Sequence, residues 1–423
     1  MVGDHWGLSR HQDYRIFGNR PCRYRGGVNR SLPAAPLAGV RVIDLGQYIA
    51  GPGAAMAGRT RRPVTKIEPL SGDRARHIGR YGESMIRAYN RGKQSIALDL
   101  KSAAGREVAL RLIAQSDVVI QNLRPGVVDK LGLGPAEVRA RFPRVIYLSI
   151  AGFSGNGPSH ARPGYDIAAQ AESGLMSVTG EPDGLPQKVG VPVVDAAAAQ
   201  LGAQAVLAAL YGREKTGRGE TLEVSLLETA LHLQAATWCE YLGGAPEPTR
   251  MGHGQPHNAP AAEIVATRDG HIVLSAYAEE HWQRFCRIVG REELADDPRF
   301  ATNAVRVQHR AALREVLQDC LSGYTSEEAV QLLGGNQIVV GAVRRYRDVL
   351  SSPDFLASGI LVDAPGEGGA AYRALGLPYR LGDAPRSAPP AAPACGADSD
   401  DVLAAAGYAA PEIAALRGGG VVG

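Results

Sequence analysis

The feature that constrains this chain most is an alternation. From about residue 37 to residue 230, short apolar runs rich in β-branched residues alternate with segments of helical spacing. "LAGVRVIDLG" leads through Val40, Val42 and Ile43 to Asp44 and ends at Gly46, and "GPGAAMAGR" then opens a helix. "PVTKIEP" (63–69) is a second apolar piece. "SAAGREVALRLIAQS" (102–116) carries Val108 and Leu112 at helical spacing, and "DVVIQNL" and "RVIYLSIAGF" read as further strands. Period-2 and period-3.6 patterns that take turns in this way predict an α/β fold, a parallel sheet with helices on both faces. In such sheets ligands sit beyond the carboxyl ends of the strands.

A Gly/Pro-rich link, "GGAPEPTRMGHGQPHNAP" (243–260), interrupts the pattern. After it, "AAEIVATRDGHIVLSA" reads as a hairpin turning at Asp269-Gly270. Three helical segments follow, so this part reads as a smaller α+β unit. "APRSAPPAAPACGAD" (384–398) is a Pro/Ala linker, and the chain closes on a helical pair. The expected layout is a basic N-terminal extension (1–35), a large domain (36–242), a linker (243–260), a small domain (261–345) and a return segment (346–423). Residues 1–31 hold six Arg and two Asp.

Composition excludes several classes. A net charge of +3 is too balanced for bulk nucleic-acid binding. Five scattered cysteines with no C-x-x-C argue against a disulfide framework or a structural zinc site and for a reducing cytoplasm. The N-terminus has no apolar signal core, and no apolar run approaches the ~20 residues of a membrane helix. No metal is expected, because His253 and His257 lie in a Pro/Gly loop with no third ligand near. A dinucleotide site is disfavoured as well: Gly51, Gly53 and Met56 lack the third glycine of G-x-G-x-x-G, and Gly152, Gly155 and Gly157 have the wrong spacing.

One junction draws the eye. In "KVGVPVVDAAAAQLGAQAVLAALYG" (188–212) an acid, Asp195, stands between an apolar run and an alanine-rich helix. Read locally, it is a helix N-cap. The surrounding segments say more. "PLAGVRVIDLG…AGP", "KIEPLSGD", "NRGKQSIALDLKSAAGREVALRLIAQSDVVIQNLRPGVVDKLGLG", "GYDIAAQAESGLMSVTGEPDG" and "LAALYGREKTGRGETLEVSLLETAL" occur in this order. With the C-terminal "DDVLAAAGYAAPEIAALRGGGVV" they resemble the class III CoA-transferase family, the formyl-CoA transferase or CaiB/BaiF-like family, over roughly residues 35–423.

The resemblance implies a Rossmann-like large domain, a smaller α+β domain and an interlocked homodimer. It implies a cytoplasmic enzyme that moves CoA between an acyl-CoA and a carboxylic acid, with a CoA thioester as substrate and no permanently bound cofactor. Asp195 takes the position of the nucleophile, which forms a mixed anhydride and then an aspartyl-CoA thioester. A carboxylate is a weak nucleophile, but its anhydride is an activated acyl group. The start of the helix is expected to keep Asp195 ionised.

By the same resemblance Tyr165 and Asp166 of "GYD" belong to the catalytic group, and Arg74, Arg91, Lys93, Asn122, Leu123 and Arg124 to the CoA-binding loops. Gly252, Gly254 and Gln255 match a shortened glycine loop that closes over the intermediate. Two other readings stay open at this level. An α-methylacyl-CoA racemase needs an acid/base pair across the α-carbon, but it carries His where this chain has Tyr165. A catalytically degenerate CoA-binding protein is suggested by departures from the family pattern: the "LGAD" turn is missing, Arg59, Arg61 and Arg62 replace small and apolar residues, and Pro63 enters a strand. Ile49 stands where formyl-CoA transferases have Gln, which argues against strict formyl-CoA/oxalate specificity.

Overall fold

The structure, a computed structural model, describes residues 37–57, 64–254, 259–366, 371–380 and 390–423. The basic extension at 1–35, the Arg59/Arg61/Arg62/Pro63 departure, Gln255, His257 and much of the Pro/Ala linker lie outside these residues.

The expected alternation is present. In chain order, β1 (Val42–Asp44), α1 (Ala50–Ala57) and β2 (Val64–Glu68) lead to a 3-10 turn (Arg74–His77) and α2 (Gly79–Tyr89). Then come β3 (Gln94–Ala97), α3 (Ala103–Ala114), β4 (Val118–Gln121), α4 (Val127–Lys130), α5 (Pro135–Arg141) and β5 (Ile146–Ala151). α6 (Asp166–Glu172), α7 (Val193–Thr216), β6 (Thr221–Ser225), α8 (Leu226–His232) and α9 (Ala235–Leu242) complete the unit. The six strands form one parallel sheet in the order β3-β2-β1-β4-β5-β6. The order reverses between β1 and β4, where Val42 pairs with both Val64 and Val118.

Successive strand residues feed opposite faces, as the pleat requires. Val42, Val118, Ile120, Ile146, Leu148 and Ile150 enter one core with α1, α7 and α8. Ile43, Val119 and Tyr147 enter the other, with Val108, Ala109, Leu112 and Ile113 of α3. Val402, Leu403, Ala406 and Val422 from the C-terminal segment also join this second core.

α7 corrects one expectation. It has 24 residues and is long and apolar enough to cross a membrane, the only such helix among the described residues. The polar residues that break its sequence hide this. Here its Ala198, Val206, Ala209 and Leu210 pack into the sheet core. The alanine run has a packing reason: a Cβ on Gly53 of α1 would lie 2.9 Å from the Ala199 Cβ, so only small side chains let α1 and α7 approach this closely.

The remaining chain holds a three-stranded antiparallel sheet, β7 (Ala262–Ala266), β8 (His271–Ser275) and β9 (Val339–Ala342). Trp282, Phe285, Phe300, Leu313, Leu317 and Leu333 fill its core. The hairpin turns at 267–270, where the Thr267 N–H donates to the Gly270 carbonyl at 2.9 Å. β9 falls in "LLGGNQIVVGAV", where the sequence reading expected no strand. A two-stranded hairpin, β10 (Leu361–Ala364) with β11 (Tyr372–Leu375), was not legible either.

Candidate active site

A cavity of about 610 Å³ lies beyond the carboxyl ends of the parallel strands. Every strand contributes to its lining: Leu45 follows β1, Pro69 β2, Leu98 β3, Asn122 β4, Gly152 β5 and Leu226 β6. The cavity is thus centred on the point where the strand order reverses, where α/β sheets characteristically bind ligands. Gly152 matters to its shape. A Cβ there would sit 2.6 Å from the Gly164 Cα, so the loop that carries Tyr165 can cross the end of β5 only over glycine.

The turn after β1 is clamped from several sides. The Gln47 N–H donates to Asn122 Oδ1 at 2.7 Å, and Asn122 Nδ2 donates to the Gln47 carbonyl at 2.9 Å. The Tyr48 N–H donates to Asp73 Oδ1 at 3.3 Å. Tyr48 itself sits at φ 61°, left-handed backbone that costs a bulky residue on the order of 1–2 kcal/mol. Beneath the turn lies a buried charged layer. Lys66 pairs with Asp73 at 3.0 Å and donates to the Gly46 carbonyl, while Lys93 pairs with Asp44 at 2.7 Å. Burial outweighs Asp44 and lowers the Lys93 pKa to about 8. At Glu68, burial pushes the carboxyl up, but the two-pronged Arg76 bond, Lys66 and Ser95 prevail and hold it at about 2.

The junction at Asp195 differs from its local reading. α7 starts at Val193 with Pro192 as its N-cap, so Asp195 is the third helical residue and not the cap. The capping is done from another element. Asp166, the first residue of α6, accepts from the Val194 N–H at 2.8 Å and the Asp195 N–H at 3.2 Å through one carboxylate oxygen. Gln170 holds the other oxygen and accepts from the Val189 N–H. Asp166 therefore takes the donors that the sequence reading assigned to Asp195. Burial, and then the Asp166 charge, raise the Asp195 carboxyl to about 7, against the expectation that the helix start keeps it fully ionised.

Asp195 and Tyr165 line the cavity, and Asp166 lies buried behind them. Arg74, Asn122, Leu123 and Arg124 also line it. Arg91 and Lys93 do not: Lys93 is enclosed by Asp44, the Pro52 carbonyl and Asn90, and Arg91 is buried, donating to the Leu375 carbonyl on β11. Their basic character answers a buried polar layer instead of a ligand. Gly252 and Gly254 lie away from the cavity lining, Gly252 beside Glu181 and Gly254 beside Ala262.

Sequence reasoning missed Tyr48, Lys101 and Arg162, all of which line the cavity. Tyr48 meets Tyr165 edge-on, with ring centroids 5.9 Å apart and an interplanar angle of 83°. Arg162 is paired with Glu172 and stacks on Phe153. Nothing local marks these residues, because the fold brings their loops together from separate strand ends.

Comparison with known proteins agrees with this geometry. Residues 37–399 match CoA-transferase family III. A probable fatty acyl-CoA transferase of Mycobacterium tuberculosis is 36% identical over 83% of this chain and 93% of its own length. A succinate–glutarate CoA-transferase of Agrobacterium fabrum is 33% identical over 87% and 95%, and an acetyl-CoA:oxalate CoA-transferase of Acetobacter aceti is 33% identical over 79% and 87%. The crystal structure of a CaiB/BaiF family protein from Brucella suis superposes with a TM-score of 0.78 at 32% identity, covering 88% of this chain and 99% of that one. With the parallel sheet and its cavity, these matches make the chain a member of CoA-transferase family III, an enzyme of the transferase class.

Proposed function

We propose that this enzyme exchanges CoA between an acyl-CoA and a carboxylic acid, with Asp195 as the covalent nucleophile. One observation carries the reading: a half-buried carboxyl poised near neutrality opens into a cavity that runs across all six strand ends. Arg74, Lys101 and Arg124 line the same cavity, exposed and with no ion pair among the described residues, which suits the phosphates of CoA. Relatives act on succinate and glutarate, on acetyl-CoA and oxalate, or on fatty acyl-CoA, so carboxylic acids are the acceptor class.

The steps balance without a redox partner. The Asp195 oxygen attacks the thioester carbonyl, the C–S bond breaks, and CoA leaves as thiolate from a mixed anhydride. The thiolate attacks the aspartyl carbonyl, which releases the donor acid and leaves an aspartyl-CoA thioester. An acceptor carboxylate attacks this thioester and returns the thiolate and a new anhydride. Thiolate attack on the acceptor's carbonyl then releases the new acyl-CoA and frees Asp195. Each exchange trades one activated acyl group for another.

The test is an exchange assay of acyl-CoA donors against a panel of carboxylic acids, read by mass spectrometry. Asp195→Ala is expected to abolish exchange, and hydroxylamine to trap an acylated Asp195 in the wild type. Full exchange by the variant would overturn the assignment. Deuterium wash-in at the α-carbon without an acceptor acid would replace transfer by racemisation.

The same proposal covers the large CoA-binding unit at 36–242, the smaller unit at 261–345, the return of 346–423 to the large unit, a homodimer, and a cytoplasmic setting without a permanent cofactor. Leu185 (83% exposed), Leu242 (77%) and Tyr346 (83%) are apolar surfaces that a second copy would cover.

A further inference from the structure

The cations that line the cavity come from different strand ends. Arg74, Lys101 and Arg124 follow β2, β3 and β4. Arg162 stands apart from them, on the loop that leaves β5 and leads through Tyr165 into α6. Gly164 holds this loop against Gly152 at the end of β5, and the Leu227 N–H of α8 donates to the Gly152 carbonyl at 3.1 Å. Asp166, where the loop ends, accepts from the Asp195 N–H. Arg162 thus belongs to the corner of the cavity that holds the carboxyl. Its guanidinium is fixed before any ligand arrives. The Arg162 Cζ lies 4.3 Å from the centre of the buried Phe153 ring, and Nη2 donates to Glu172 of α6. Nε and Nη1 have no partner among the described residues.

A guanidinium carries donors on every nitrogen, and a carboxylate is among its strongest partners. The Glu172 pair is exposed on both sides, so it orients the group without saturating it. An arginine with donors to spare, in the corner of the nucleophile, suits an anion that arrives with the acyl group, since the cations after β2, β3 and β4 serve the phosphates of CoA. We propose that Arg162 is a specificity-determining residue that reads a second, unreacted carboxylate, so that the acids this enzyme exchanges are dicarboxylic. The proposal rests on the reading of Asp195 as nucleophile. The Asp195 oxygen bonds to the carbonyl carbon at one end of the acyl group, and the C–S bond there breaks to release the CoA thiolate. The carboxylate at the other end keeps its charge and accepts from the free N–H groups of Arg162 throughout. Donor and acceptor acids form the same anhydride with Asp195 in turn, so one arginine selects both. The contact is made in the substrate as well as in the intermediates, and its loss therefore shows in KM.

The experiment follows the exchange of each acyl-CoA with its own isotopically labelled acid, read by mass spectrometry. Succinyl- and glutaryl-CoA are compared with butyryl- and pentanoyl-CoA, in which a methyl group replaces the distal carboxylate. The proteins are wild type, Arg162→Met, Arg162→Lys and Asp195→Ala. Wild type should favour the dicarboxylic donors by about 10–100-fold in kcat/KM, as one charge-assisted contact allows. Arg162→Met should raise KM for succinyl- and glutaryl-CoA by about 10-fold or more and leave butyryl- and pentanoyl-CoA within about twofold. It should melt within about 2 °C of wild type, because the pair it removes is exposed. Arg162→Lys keeps the charge and should keep a preference of about 3-fold or more. No preference in wild type, a preference that survives in Arg162→Met, or equal losses on every donor, as a CoA contact or a purely structural role would give, would overturn the proposal. If Asp195→Ala still exchanges, the nucleophile reading itself fails; if it is inactive and wild type shows no preference, only the Arg162 assignment fails.

Discussion

Asp195 governs how this enzyme responds to pH. Its carboxyl titrates near 7 because burial and Asp166 disfavour the charge. An unfolded aspartate titrates near ~4, so between about pH 4 and 7 the native state holds a proton that the unfolded chain has lost. Stability from this group therefore falls as pH rises through that window, by roughly 2–4 kcal/mol in all. Asp195→Asn is expected to melt higher than wild type at pH 8 and about equally at pH 4, which thermal scans at both pH values will read. For activity the ionised form is required, so kcat/KM should rise with pH along a limb centred near 7. Asp166→Asn keeps an oxygen for the Val194 and Asp195 N–H groups but removes the charge, so the limb should move to lower pH. An unmoved limb would assign the shift to burial alone.

The turn between β1 and α1 is the element that the buried charged layer serves. Removing one partner of a buried pair strands the other charge and costs about 3–5 kcal/mol. Lys93→Met should therefore lower the denaturant midpoint by that equivalent, since it leaves Asp44 with the more distant Lys66 at 4.0 Å. The KM for acyl-CoA of the folded variant should change little, because Lys93 lies outside the cavity lining. Arg74→Ala and Arg124→Ala should do the reverse, raising KM about 10-fold each as a charge-assisted contact is lost while stability stays within about 0.5 kcal/mol. A second element-level test is the α1–α7 contact. Gly53→Val should destabilise by about 1–3 kcal/mol through overpacking against Ala199, and it should slow exchange because both helices carry the walls of the site.

At the scale of the molecule, the proposed homodimer is the open question with the plainest measurement. Light scattering should give twice the 44.6 kDa chain mass, and interlocked chains should not separate on dilution to nanomolar concentration. A monomer at working concentration would remove the dimer from the proposal and leave Leu185, Leu242 and Tyr346 without a cover.

The sequence by itself determined the sheet, because the β-branched runs around Val42, Val118 and Ile146 alternate with helical spacing, and that pattern is local. It also marked the junction at Asp195 and the loop residues Arg74, Asn122 and Arg124, through the order of motifs along the chain. The strands β9, β10 and β11 stayed hidden, since β9 joins two valines to Gly and Ala, β10 has a single β-branched residue and β11 has none. Only the tertiary structure decided which charges face the cavity. Arg91 and Lys93 read like Arg74 and Arg124 in one dimension, and their different roles come from the acceptors that other elements bring, Leu375 for one and Asp44 for the other. It likewise decided that Asp166 caps α7 and lifts the Asp195 carboxyl, and that Tyr48 meets Tyr165. These are contacts between residues 29 and 117 positions apart, and burial and charge act through space where sequence pattern acts only along the chain.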